Sequence, residues 1–164
     1  MRSFRERGFA AEDIERIEAF QLGAMAIDVR EHRDGGPPGA DLAALIALVA
    51  SSRIEMSCFV FRGLAMMAAR MATPHEERSL NSWSLYPSIA MRTALAQGSA
   101  SIVILRDRMD PGDAALYLDD FEHEVVRPPL RLTLGPRVAD RMVLLGESIE
   151  VSMIDCKDVG VGDG

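Results

Sequence analysis

Lysine is nearly absent from this 164-residue chain: Lys157 stands alone among eighteen basic residues, against twenty-five acidic ones, for a formal net charge of −7. A surface that tracks nucleic-acid phosphates must be basic. The acidic balance therefore argues against extensive nucleic-acid binding, although not against a small arginine patch. The arginine bias fits a GC-rich bacterial genome, which lowers the weight of any one arginine cluster. Cysteine is limited to Cys58 and Cys156, too few for a disulfide framework, and the expected state is reduced and buried. Long apolar runs are missing too. None approaches the roughly 20 residues of a membrane helix, and the start MRSFRERGF has no apolar signal core. A cytoplasmic protein with no membrane association is expected. What remains is 48% apolar and 26% charged residues, the composition of an ordinary globular domain long enough to bury a core.

Residues 11–22 place Ile14, Ile17 and Phe20 on one side with carboxylates between them, the pattern of an amphipathic helix. The stretch EHRDGGPPGAD, residues 31–41, reads as a linker. The chain divides at that point into an N-terminal helix and linker, residues 1–39, and a main domain, residues 40–164. Asp41 is a suitable N-cap for a helix with Leu42, Leu45, Ile46 and Val49 at i, i+3, i+4, i+7. Residues 55–61 read as a strand, Arg62-Gly63 as a turn, and residues 64–71 as a second strand or a helix. Residues 73–81 are a polar loop. Pro87 opens a helix that Gly98 stops. Ser101–Leu105, SIVIL, is a strand covered on both faces. Residues 113–126 suggest a helix, and Pro136 opens another that carries Val138, Met142 and Leu145 and is closed by Gly146. Residues 148–154 alternate as a strand. The terminal DVGVGDG precedes no helix, so it fails as a phosphate loop.

The polar residues offer few constellations. His32, His75 and His123 are scattered and read as solvated surface. Ser79, Ser82 and Ser84 have no histidine at a recognisable spacing, so a serine nucleophile is unsupported. Met66, Met67, Met71 and Met91 read as core filler. Trp83 and Tyr86 either anchor a partner or pack over the core edge.

The stretch YPSIAMRTALAQGSASIVIL, residues 86–105, and the stretch RVADRMVLLGESIEVSMIDCKDVGVGDG, residues 137–164, resemble the RadC branch of the JAB/MPN (JAMM) family. The first is similar to the helix and strand that deliver the family's metal motif, the second to its closing helix and strand. The resemblance spans about residues 40–164. It implies an α/β (mixed α+β) fold of the cytidine-deaminase-like layered kind, a central mixed β-sheet flanked by helices. The family binds zinc through two histidines spaced H-x-H and an aspartate ten residues further on. Arg106 and Arg108 stand at the histidine positions, Asp119 at the aspartate position, and Glu55 where the family keeps its catalytic glutamate. Met109-Asp110-Pro111 replaces the family's Pro-Ser-Gly, and Asp155-Cys156 its closing Asp-His. Guanidinium is always protonated and has no acceptor lone pair, so this pair repels Zn²⁺.

The resemblance thus implies a pseudoenzyme: a non-catalytic binding or scaffold module with no cofactor and an unidentified protein partner, associated with DNA repair or a mobile element. Glu55 becomes a vestigial base, Asp119 a vestigial ligand position, and Arg106 and Arg108 an anion site, or a structural pair sealed by Asp107, Asp110, Asp113 and Asp119. The alternative is a hydrolase whose aspartates at 107–120 hold Mg²⁺ or Mn²⁺.

Overall fold

A computed structural model of the protein describes residues 3–98, 100–118 and 122–160. Three helices come first: α1 (Ala11–Gln21), α2 (Ala26–Arg33) and α3 (Ala40–Ser51). The stripes read from the sequence bury as expected, since Ile17 joins Leu42, Leu45 and Val49 in one cluster that also takes in Leu80, Leu116 and Val126. Two details differ. Part of the expected linker is helical, as α2. Asp41 lies inside the first turn of α3 and bonds Arg16 of α1 at 3.2 Å, while Gly39 occupies the cap position and its N–H donates to Asp28.

The rest is mostly strand. β1 (Cys58–Leu64), β2 (His75–Glu77), β3 (Asn81–Ser84), α4 (Pro87–Ala96), β4 (Val103–Met109), β5 (Leu116–Tyr117), β6 (Glu124–Arg127), β7 (Leu130–Leu144) and β8 (Glu147–Asp158) follow, with a short 3₁₀ turn at Ala68–Arg70. The strands form one sheet in the order β2-β7-β8-β4-β1-β3-β6-β5. β4 runs parallel to β8, and the other strand pairs are antiparallel. The expectation of a mixed sheet with helices against it holds at that level.

Among the described residues the helices expected at 113–126 and after Pro136 are absent: β5 and the start of β6 lie in the first range, and β7 runs through the second. Leu130, Leu132 and Leu134 alternate with Arg131 and Thr133, the period of a strand rather than a helix. Leu145 and Gly146 take left-handed φ values of 50° and 80°, the two-residue turn that joins antiparallel strands with matching twist. Gly146 therefore closes the β7–β8 hairpin instead of capping a helix. Pro136 sits where the β7–β8 register shifts, between Leu134 and Arg137, a bulge that tolerates its missing N–H.

Arg62-Gly63 is no turn either. β1 runs straight through it, pairing Arg62 with Leu105 and Gly63 with Ile104. A Cβ at Gly63 would stand 1.8 Å from the Ala90 carbonyl oxygen. The missing side chain is what lets α4 lie directly on β1.

The sheet splits into two halves. β1 and β3 share the single register pair Phe61↔Ser84, whereas β1 and β4 pair along seven residues. Across the split Asp107 of β4 meets Arg127 of β6 at 2.8 Å, although two strands lie between them in the sheet order. Flat neighbours are about 4.8 Å apart, so the sheet curls to bring these buried side chains together. The curl encloses Val60, Trp83, Leu105, Val125 and Leu132 in a second core. On the other face α4 buries Ala90, Met91 and Ala94 against Ile104 and Met153.

Candidate functional site

The split between β1 and β3 opens a cleft of about 390 Å³, with α4 as one wall and the start of β6 as the other. Its polar lining includes Arg62, Ser82, Glu122 and Glu124. Ser82 and Ser84 are two residues apart on β3, so both hydroxyls leave the same face. Trp83 between them turns into the core, 1% exposed, its ring beneath the Arg127 guanidinium at 4.8 Å and its indole N–H bonded to Asn81. Trp83 is thus the peg that sets the face of its two serine neighbours.

Ser82 Oγ donates to the Glu124 carboxylate. Ser84 Oγ donates to the Glu122 carbonyl at 2.7 Å. Arg62 Nη1 donates to the Ser82 carbonyl at 2.9 Å, bridging β1 and β3 where their register pairing stops. The other side of the guanidinium forms a two-pronged pair with Glu77, at 2.6 Å through Nε and 3.3 Å through Nη2. Glu77 is 5% exposed. Burial pushes its carboxyl up, but the His75 hydrogen bond and the charge and hydrogen bond of Arg62 outweigh that and hold it down to about 2. The result is a fixed chain, Glu77–Arg62–Ser82–Glu124, anchored in the core and ending at the cleft.

A larger cavity of about 650 Å³ lies elsewhere, between the N-terminal segment and β5, with Glu55, Cys58 and Tyr117 among its walls. Size does not favour it. Its arginines are engaged with backbone carbonyls, Arg7 with Tyr117 and Arg53 with Ala50 and Ser52. Burial pushes the Cys58 thiol up, away from the reactive thiolate. The smaller cleft is where hydroxyl, carboxylate and guanidinium meet.

The residues that the family resemblance singled out stand apart from this cleft. Arg106 forms a two-pronged pair with Asp155, at 2.6 and 3.0 Å, and lies over Phe59. Arg108 meets Asp110 at 3.4 Å. Asp107 points to the opposite face and Arg127, where burial raises its carboxyl against the pull of that arginine. Glu55 is exposed in the loop before β1, and Asp119 lies outside the described residues. Among the described residues no three of His, Cys, Asp and Glu gather to hold a metal. Both cysteines are unbridged, and burial together with Asp107 raises the Cys156 thiol to about 12. The histidines are only partly solvated: all three are half-buried and bonded, His32 to Ser79, His75 to Glu77 and His123 to Tyr117.

Sequence reading missed Arg62, Glu122 and Glu124, and weighed Ser82 only as a nucleophile. Arg62 was hidden by the adjacent glycine, which reads as a turn, and Glu122-x-Glu124 by the helix expected over 113–126. The available signal was Glu124-Val-Val-Arg entering a strand, with a pair of carboxylates at strand spacing just before it.

No family profile matches the sequence, and no curated protein matches it. Solved structures do match the fold. C3larvin toxin, an ADP-ribosyltransferase from Paenibacillus larvae, superposes with a TM-score of 0.63 at 13% identity, over 93% of this chain and 97% of that one. The enzymatic component C2-I of the C2 toxin from Clostridium botulinum gives 0.66 at 13% identity, over 92% of this chain but only 43% of C2-I. C3stau2 from S. aureus, described with NAD, gives 0.60 at 14% identity, over 90% of this chain and 88% of that one. This corrects the JAB/MPN (RadC) resemblance. The pseudoenzyme scaffold, its DNA-repair or mobile-element association and the Asp-based metal hydrolase rested on that family's motif and fall with it. No helix of the described residues is long and apolar enough to cross a membrane. At these identities the likeness establishes architecture: the chain has the fold of the ADP-ribosyltransferase toxins.

Proposed function

We propose that this chain is an NAD-dependent ADP-ribosyltransferase. In this reading Arg62, Ser82 and Glu124 are its reacting-site residues, and Glu122 is a second carboxylate at the same cleft. The observation that carries the reading is the Arg62–Ser82–Glu124 hydrogen-bond chain at the split of a sheet whose fold is shared with ADP-ribosyltransferases.

ADP-ribosyl transfer breaks the bond between nicotinamide and the ribose carbon that carries it. The bonding pair leaves with nicotinamide, which becomes neutral, and positive charge builds on the ribose carbon and ring oxygen. A carboxylate fixed beside that carbon stabilises the charge as it develops, the same logic that glycoside-cleaving enzymes use. Glu124 suits this role because Ser82 fixes one of its oxygens. The acceptor nucleophile supplies the new bonding pair to the ribose carbon and loses a proton. Glu122, two residues away at the same cleft, is placed to take that proton.

The side chains present fit the dinucleotide. Arg62 has five N–H donors and uses three on Glu77 and Ser82, leaving two for a phosphate or a ribose hydroxyl. Arg33 of α2 lines the same cleft and adds a second positive charge toward the pyrophosphate. The protein partner expected from the sequence then becomes the acceptor of ADP-ribose.

Calorimetric titration with NAD⁺ tests the reading. Saturable binding that Arg62→Lys weakens is the expected result, because lysine cannot serve Glu77, Ser82 and a phosphate together. Absence of binding at millimolar NAD⁺ would contradict it.

A further inference from the structure

His123 sits between the two cleft carboxylates, and its backbone is unusual. Its φ is 47°, a left-handed conformation that residues other than glycine seldom adopt. Each residue of this short segment is tied to a different partner. The Glu122 carbonyl accepts from Ser84 Oγ, the His123 carbonyl accepts from the Leu85 N–H at 3.3 Å, and the Glu124 carbonyl accepts from the Leu118 N–H at 2.9 Å. Glu122 and Glu124 both line the cleft. The imidazole between them turns away: its Nδ1 shares a hydrogen bond of 2.9 Å with the Tyr117 hydroxyl on β5, and its ring meets Tyr86 edge-on with centroids 5.0 Å apart. Tyr117 is held in turn, its carbonyl accepting from Arg7 at 2.7 Å.

Rotation about the left-handed residue would swing the backbone on both sides of it, and with it both carboxylates. The Tyr117 and Tyr86 contacts are side-chain contacts, and they hold the ring in place. We propose that His123 is a positioning residue for the transfer reaction: clamped by Tyr117 and Tyr86, it locks the left-handed turn that aims Glu122 and Glu124 into one cleft.

This inference rests on the ADP-ribosyl transfer reading, so its test needs one readout that depends on turnover and one that does not. The variants are His123→Ala and Tyr117→Phe, with His123→Asn as the conservative rescue, since asparagine tolerates left-handed backbone and carries a polar side chain. The turnover readout is nicotinamide release from NAD⁺. The first two variants should lower kcat about tenfold with KM for NAD⁺ little changed, because small misplacements of reacting groups act on the chemical step. His123→Asn should recover most of the loss. Unchanged kcat in both His123→Ala and Tyr117→Phe would overturn the inference, including when their thermal midpoints fall, since that pattern marks a purely structural residue. The second readout is the ¹³C resonance of the Glu124 side-chain carboxyl in each variant. It should move in both, and a carboxyl resonance unmoved in both overturns the clamp whether or not the wild type cleaves NAD⁺. A wild type that leaves NAD⁺ intact contradicts the proposed activity instead.

Discussion

Ser82 donates its hydroxyl to Glu124, and its own carbonyl accepts a hydrogen bond from Arg62. One residue of β3 thus joins a carboxylate on β6 to a guanidinium on β1, across the line where the sheet splits. Under the proposed function that connection separates effects on turnover from effects on stability, because the hydroxyl holds the carboxylate while the carbonyl holds the arginine.

Ser82→Ala removes the hydroxyl and leaves the carbonyl. Glu124 then keeps its charge but loses the bond that fixes it. We expect kcat for nicotinamide release to fall about 10- to 100-fold, the scale for a small misplacement of a reacting group, with the affinity for NAD⁺ retained. Stability should change by about 1 kcal/mol, the net worth of one hydrogen bond. Steady-state kinetics beside urea unfolding reads both, and an equal loss in affinity would contradict the assignment.

Glu77 and Arg62 form a nearly buried pair, and its acid sensitivity has a definite sign. The folded carboxyl is held at about 2, below its ordinary value of 4.5. The unfolded chain therefore binds the proton more readily. Stability from the ionised Glu77, held by His75 as well as Arg62, is complete above about pH 4.5 and is lost as pH falls toward 2. A shift of that size corresponds to about 3 kcal/mol. Glu77→Gln should flatten this part of the acid limb. At neutral pH it should also cost about 3–5 kcal/mol, because Arg62 is left without its counter-charge. Urea midpoints at pH 3 and pH 6 for both proteins check this, and parallel acid limbs would contradict it.

Gly63→Ala would place a methyl group 1.8 Å from the Ala90 carbonyl oxygen. Neither β1 nor α4 can yield locally, since the obstacle is backbone. α4 must be pushed off the strand, at a cost of about 3 kcal/mol by the usual penalty for overpacking. The cleft wall moves with it, so NAD⁺ affinity should fall as well. Thermal unfolding and NAD⁺ titration of the variant check both, and native-like values would refute the close contact.

The helices α1, α3 and α4 were the legible part of the fold. Ile17, Leu42, Leu45 and Val49 recur at helical spacing and bury where that spacing puts them. The SIVIL run likewise became strand in its second part, where residues 103–105 open β4 and are all buried. The second half was misread because hairpin signals and helix-stop signals share residues: Gly146 after an apolar stretch serves either, and only its left-handed neighbour Leu145 distinguishes them. The site was illegible for a topological reason. Arg62, Glu77, Ser82 and Glu124 come from four strands spread over more than sixty positions, and no local pattern reports that the sheet curls. The arginine pair drew attention by matching a motif's spacing, yet Arg106 and Arg108 are occupied by Asp155 and Asp110 outside the cleft.

The central claim is that Glu124 drives cleavage of the bond between nicotinamide and ribose, and one measurement addresses it directly. Nicotinamide release from NAD⁺ is followed for the wild type and for Glu124→Gln, a substitution that keeps the size and the acceptor oxygen but removes the charge. The account predicts measurable release by the wild type. It predicts a loss of about 100- to 1000-fold in kcat for the variant, the scale of a lost transition-state charge partner, with NAD⁺ binding preserved. A wild type that binds NAD⁺ without cleaving it, or a variant that cleaves as fast as the wild type, would contradict the account.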